Sequence, residues 1–246
     1  MRTVAVVLAG GMGSRFGSSV PKQMQVLGGT SLLSRCVGTF GQAPGVDDVL
    51  VVTAAELTER VKSHLAGSPR LADVIEGGVA RTDSTERAIA WLRSRAAAAA
   101  PGEDWKVLFH DAARPLIDQK IIADCIDALD HWDAVGVVVP TADTIVQLAD
   151  GRFGRILPRA SLARCQTPQG FRLSVISRAY DLAAADPDFA ENAATDDCGV
   201  VLRYLPDVPV GTVQGSERNL KITYPADLAI AQALLDLEPD GRPLPG

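Results

Sequence analysis

Histidine is scarce and cysteine has no paired arrangement in this chain, which holds three histidines and four cysteines in 246 residues. Cys36, Cys125, Cys165 and Cys198 form no CxxC pair and have no histidine at ligand spacing, so buried free thiols are expected rather than a zinc site. No run approaches the roughly 18 apolar residues that a membrane-spanning helix needs. The apolar opening Val4 to Leu8 ends in Ala9-Gly10-Gly11 and enters a charged loop, so it reads as a first buried strand rather than a signal peptide, with the cytoplasm as the expected location. An excess of positive charge is also missing. The net charge of −6 argues against a nucleic-acid surface, while leaving open a small polyanionic ligand held by local cations. No internal repeat, Ser/His/Asp set or reactive-cysteine arrangement is evident.

What the chain does have is apolar material for a full core, at 47% of its residues. Val4 to Leu8, Val49 to Thr53, Val74-Ile75, Val107 to His110 and Ala134 to Val139 read as strands. Ser31 to Phe40, Glu56 to Leu65, Thr85 to Ala98 and Gln119 to Asp130 show helical spacing between them. Uniformly apolar strands separated by helices imply an α/β fold: a mostly parallel sheet covered on both faces. Helical spacing resumes at Leu173 to Ala185, Val200 to Leu205 reads as a strand, and Pro225 to Leu237 as a final helix with its proline near the first turn.

The alternation breaks over Thr141 to Pro168. Asp150-Gly151, flanked by Ile145-Val146 and Phe153, is a hairpin signal, so residues 141–168 are expected to form an inserted β-arm, or else a pair of edge strands. The remainder, 1–140 and 169–237, then forms one domain. The Pro- and Gly-rich tail 238–246 is expected to be disordered, and Arg95 to Pro101 to be a fraying helix end.

The strongest local signal is Leu8-Ala9-Gly10-Gly11-Met12-Gly13-Ser14-Arg15-Phe16-Gly17, followed by Pro21-Lys22-Gln23. Glycines after a strand let backbone N–H groups approach an anion without a Cβ in the way. Arg15 can grip two phosphate oxygens and Lys22 adds a compact point charge. The spacing is neither GxGxxG nor GxxxxGK[ST]. It is similar to the glycine loops of sugar-nucleotide pyrophosphorylases and cytidylyltransferases, and a bound nucleoside triphosphate is the expectation.

Three further motifs follow. Glu76-Gly77-Gly78 with Thr82-Asp83-Ser84 sits between a strand and a helix, where backbone can lie against a flat base, or where Ser84 or Thr82 can simply cap the helix. His110-Asp111-Ala112-Ala113-Arg114-Pro115 places Asp111 at the end of a buried strand, where a carboxylate is suited to Mg²⁺ or to an ion pair. His110 is given no role. Gln166-Thr167-Pro168-Gln169, Thr195-Asp196-Asp197 and Asn219-Leu220-Lys221-Ile222-Thr223 are individually weak signals.

Their order is specific. The set LAGGxGxR, PKQ, EGG, HDAARP, Asp143-Thr144, QTPQ, TDD and NLKIT runs from residue 8 to residue 223. It resembles the 2-C-methyl-D-erythritol 4-phosphate cytidylyltransferase family. The resemblance implies a Rossmann-like sheet with a β-arm that interlocks two subunits of a homodimer. It also implies a Mg²⁺-assisted reaction of CTP with a polyol phosphate, giving a CDP-polyol and pyrophosphate. By motif, Arg15, Lys22 and Lys221 would be the catalytic cations. Gly10, Gly11 and Gly13 would wrap the phosphates; Gly77, Gly78, Asp83 and Ser84 would bind the base, with Ala112 and Arg114 beside the ribose. Asp111 would hold the metal, and Thr144, Arg159, Thr167 and Thr195 the acceptor, Arg159 from the partner subunit. Leu8-Ala9-Gly10-Gly11 and Cys198-Gly199 depart from the commonest family forms, and the first also resembles ribitol-5-phosphate cytidylyltransferase, which stays open as an alternative acceptor class. A non-catalytic nucleotide-binding module is the alternative of another kind.

Overall fold

The computed structural model describes residues 1–11, 16, 20–99, 102–189, 191 and 194–237. Arg15, Gly13, the end of the fraying segment at 100–101 and the tail 238–246 lie outside them. The strands are β1 (Thr3–Ala9), β2 (Val26–Leu27), β3 (Thr30–Ser31), β4 (Asp48–Thr53), β5 (Leu71–Glu76), β6 (Lys106–Asp111), β7 (Ala134–Pro140), β8 (Val146–Ala149), β9 (Arg152–Ile156), β10 (Ala163–Arg172) and β11 (Val210–Gln214). The helices are α1 (Leu32–Gln42), α2 (Thr58–His64), α3 (Arg81–Ala99), α4 (Gln119–Ala128), α5 (Leu173–Ala184), α6 (Asp197–Tyr204) and α7 (Pro225–Leu235).

Seven strands form one sheet in the order β11-β7-β10-β6-β1-β4-β5. All its pairings are parallel except those of β10, which runs antiparallel to both β6 and β7. Strand β1 is buried along its whole length and divides its side chains between two cores. Ala5, Val7 and Ala9 pack with α1, α2 and α4, while Val4, Val6 and Leu8 pack with α3, α5 and α6. Each fully buried Val or Leu is worth about 1.5–3 kcal/mol relative to exposure, so β1 is a rigid platform for whatever its C-terminal end carries.

The chain runs from β1 outward to β4 and β5, then returns to β6 on the other side of β1. Connections therefore leave in opposite directions at the C-terminal ends of β1 and β6. A crevice opens at such a switch point, where open α/β sheets bind ligands.

Three expectations need correction. Val200 to Leu205 is not a strand but lies in α6 and its C-cap, because Asp196 Oδ1 accepts from Gly199 N (2.8 Å) and starts a helix that buries Val200, Val201 and Leu205. The cap and this buried face override the β-propensity of the valines. The strand of that region is β11, ten residues on. The arm is also shorter than 141–168. Hairpin β8–β9 pairs only with itself among the described residues, but from Ala163 the chain is back in the central sheet as β10. Lastly, Cys36, Cys125 and Cys198 are buried, but Cys165, near the start of β10, is exposed. The hairpin turn itself is as expected: Asp150 and Gly151 take φ of 50° and 73°, the left-handed pair that a two-residue turn requires.

Candidate active site

A cleft of about 360 Å³ opens at the switch point, lined by Gly10 and Gly11 after β1, Asp111 and Ala112 at the end of β6, and Gly78 and Arg81 from the segment joining β5 to α3. Lys22 and Lys221 enter from two further segments. No helix among the described residues is long and apolar enough to cross a membrane.

Lys22 sits on a 3-10 turn, Lys22–Met24, pinned to the end of β1 by buried Gln23, whose Nε2 donates to Ala9 O (3.0 Å). Its Nζ donates to Ile222 O (3.1 Å), which joins the first loop to the C-terminal one. Ile222 in turn packs with Phe16, Leu27 and Leu32, so Phe16, the described neighbour of Arg15, is fixed beside the segment that carries Lys221. Sequence-distant cations are thereby gathered at one place. Gln23 is a positioning residue that motif reading quoted without giving it a role.

Lys221 Nζ donates to Asp111 Oδ2 (2.7 Å), and Arg81 Nε donates to Asp111 Oδ1 (3.3 Å). Burial pushes the Asp111 carboxyl up, but Arg81 and Lys221 outweigh it and hold the group well below the usual carboxylate range. Asp111 is therefore an anion at any physiological pH. Asp111 is also the one acid lining the cleft among the described residues.

The wall made by Gly77, Gly78 and Ser84 is tight. Ser84 Oγ accepts from Gly78 N (3.2 Å) and donates to Ala80 O (3.3 Å), while Asp83 Oδ2 accepts from Ala80 N (2.9 Å) and caps α3. Asp83 thus shapes the wall through its cap. A Cβ on Gly78 would stand 2.1 Å from Asp83 Cβ. Such overpacking costs roughly 1–3 kcal/mol. Gly78→Ala is expected to raise the dissociation constant for CTP about tenfold or more, measured by titration calorimetry; unchanged CTP affinity would remove this wall from the site.

Several expected ligands lie outside the cleft lining. Arg114 is buried with its guanidinium turned to backbone: Nη1 donates to Asn219 O (2.8 Å) and Nη2 to Cys165 O (3.4 Å). It supports the loop bearing Lys221 from beneath, and only Ala112 of the expected ribose pair faces the cleft. Thr167 is buried behind Asp111, its Oγ1 accepting from Asp111 N (3.1 Å) and meeting His110 Nδ1 (3.2 Å). Thr195 is exposed at the turn before α6. Thr144 is exposed near the arm, and so is Arg159, which donates to Ala142 O (2.9 Å). His110 is buried and its pKa is pushed down to about 4 by burial, which leaves it a neutral strut. Burial pushes the Cys36 and Cys125 thiols up to about 12, so neither offers a thiolate nucleophile.

The model of 2-C-methyl-D-erythritol 4-phosphate cytidylyltransferase (IspD) matches residues 3–237. The chain belongs to this family. As a cytidylyltransferase-family member it is a nucleotidyltransferase, and the family is one of CTP-using enzymes. It is 46% identical to the 2-C-methyl-D-erythritol 4-phosphate cytidylyltransferase of Thermobifida fusca, over 95% of this chain and 93% of that one. It is 37% identical to a bifunctional ribulose 5-phosphate reductase/CDP-ribitol pyrophosphorylase of Haemophilus influenzae, covering 95% of this chain but 48% of that protein. The crystal structure of the Thermus thermophilus 2-C-methyl-D-erythritol 4-phosphate cytidylyltransferase superposes with a TM-score of 0.71 at 28% identity, over 94% of this chain and 97% of that one. The family's glycine loop, PKQ turn, HDAARP strand end and NLKIT loop are the segments that converge on the cleft.

One cleft residue escaped the motif reading. Arg81, quoted within the EGG segment but given no role, faces Asp111 and also Asp197, to whose Oδ2 its Nη2 donates (2.8 Å). The signal that could have found it is weak: an arginine at the first position of a helix, where an acid is the favoured charge.

Proposed function

We propose that the cleft transfers the cytidylyl group of CTP to the phosphate of 2-C-methyl-D-erythritol 4-phosphate. A phosphate oxygen of the acceptor attacks the α-phosphorus, the bond from that phosphorus to the α–β bridging oxygen breaks, and pyrophosphate leaves. The nucleophile is already ionised, so the protein needs to align two anions and neutralise charge rather than supply a base. The observation that carries the reading is the meeting of Lys22 and Lys221 with Asp111 at the glycine-lined switch point.

In this reading Gly10, Gly11 and Gly13 line the triphosphate and Arg15, Lys22 and Lys221 stabilise the charge that builds at the α-phosphate. Gly77, Gly78 and Ser84 seat the cytosine, with Ala112 beside the ribose. The single carboxylate Asp111 fits Mg²⁺, which is ordinarily held by one or two carboxylates together with substrate phosphates; bound there, the ion would neutralise phosphate charge. The exposed arm supports a cytoplasmic homodimer in which the partner's Thr144 and the partner's Arg159 approach the acceptor.

Identity to the Thermobifida fusca relative, and the family model, favour methylerythritol phosphate over ribitol phosphate as acceptor. Pyrophosphate release with CTP, Mg²⁺ and each acceptor in turn is expected to be at least about tenfold faster with methylerythritol 4-phosphate, the discrimination that a few pocket contacts supply. Faster release with ribitol 5-phosphate would reverse the assignment. Tight CTP binding without release from either would make the chain a binding module.

A further inference from the structure

Asp111 presents two different oxygens. Oδ1 faces Arg81 and Oδ2 faces Lys221. The two cations are held very differently. Lys221 is nearly half exposed, and its ammonium makes this single ion pair with Asp111. Arg81 is anchored from behind by Asp197, which is completely buried. Asp197 Oδ1 accepts from Tyr180 OH (2.7 Å) and Thr85 Oγ1 (3.0 Å), and its own N–H donates to Gln169 Oε1 (3.0 Å). Arg81 thus spans a fixed buried anion and the cleft-facing one, and its Nη1 has no hydrogen-bond partner among the described residues.

We propose that Arg81 is a positioning residue: tethered to Asp197, it fixes Asp111 through Oδ1, so that Oδ2 is the oxygen that exchanges Lys221 for a divalent cation as the triphosphate arrives. Lys221 is the mobile partner and is released to the phosphates. Arg81 stays, and keeps Asp111 compensated and aimed while that exchange takes place. A guanidinium can do this because its fork bonds two carboxylates at once, where an ammonium is a point charge on a shorter reach. This inference rests on the proposed function, because it takes the triphosphate and the divalent ion as the ligands of the cleft.

The test is binding of Mn²⁺ in the presence of CTP, followed by electron paramagnetic resonance, together with metal-free CTP binding by calorimetry. Intact protein is compared with Arg81→Lys and with Asp197→Asn, which keeps the size of the buried side chain. Both variants are expected to weaken CTP-dependent Mn²⁺ binding about tenfold or more, equivalent to about 1.4 kcal/mol, while metal-free CTP binding stays within about threefold. In turnover the loss is expected in kcat and in the Mg²⁺ concentration giving half-maximal rate, with KM for the acceptor unchanged. Near-normal Mn²⁺ binding in either folded variant would overturn the proposal. An equal loss of metal-free CTP binding would overturn it too, since that is what a general collapse of the cleft produces. If Arg81→Lys fails to fold, Asp197→Asn decides alone. Failure of the intact protein to bind CTP at all would instead refute the functional reading.

Discussion

Replacing Lys22 with alanine is expected to lower kcat by roughly 10²–10³, the usual consequence of removing one fixed donor from charge that develops in a transition state. The backbone that carries Lys22 is held independently of its ammonium, by the bond from Gln23 to Ala9 O, so the 3-10 turn should survive the substitution. The bond lost with the side chain, from Nζ to Ile222 O, is one hydrogen bond at the cleft edge. Ile222 keeps its backbone bond to Ala113 O (2.8 Å) and its place in the third apolar cluster. A fall in kcat with little change in melting temperature or CTP affinity is therefore the expected pattern, read by single-turnover kinetics beside thermal unfolding. Turnover within a few-fold of the parent would take Lys22 out of the mechanism.

The arm should matter nearly as much. Leu148 and Phe153 are cross-strand partners, as are Val146 and Ile156, and Leu148, Phe153 and Ile156 are 65%, 78% and 63% exposed. An isolated two-stranded hairpin is marginal in water, and large apolar side chains gathered on one are the mark of a covered surface. A second copy of this arm is the occupant the proposed homodimer supplies. Phe153→Asp puts a charge at the centre of that face and is expected to give monomers in light scattering. Because Arg159 acts from the partner in this account, the monomers should lose roughly 10²-fold in kcat/KM, the scale of losing one aligned contact to a reacting group. CTP binding should persist, since the cleft is built from one chain. A monomer with parental turnover would separate the arm from catalysis.

Much of the fold was legible because its signals are local. The five apolar strand runs of β1, β4, β5, β6 and β7, the helices between them and the Asp150-Gly151 turn all stand where periodicity and turn chemistry place them. The course of Val200 to Leu205 was not, because a short apolar run fits helix or strand, and only the Asp196 cap with its buried partners selects the helix. Nor was the inward return of β10, whose antiparallel pairing on both sides is a tertiary fact.

The site divides in the same way. The order of motifs was enough to bring Gly10, Gly11, Lys22, Asp111, Ala112 and Lys221 to one cleft. It could not say which way a side chain turns. Arg114 and Thr167 stand in motifs that converge on the site, yet their polar atoms are used beneath it, on Asn219 O and on the Asp111 N–H. Arg81 is the reverse case: an unremarked position in the sequence whose guanidinium lies between two carboxylates separated by many tens of residues. Pairings of that length leave no trace in local spacing.

The central claim is that cations from the two ends of the chain act on one triphosphate. A crystal structure with CTP and a divalent ion tests it most directly. The account predicts Arg15, Lys22 and Lys221 within hydrogen-bonding distance of the same phosphate chain, with Lys221 drawn off Asp111. A triphosphate bound elsewhere, with Lys221 still paired to Asp111, would contradict it.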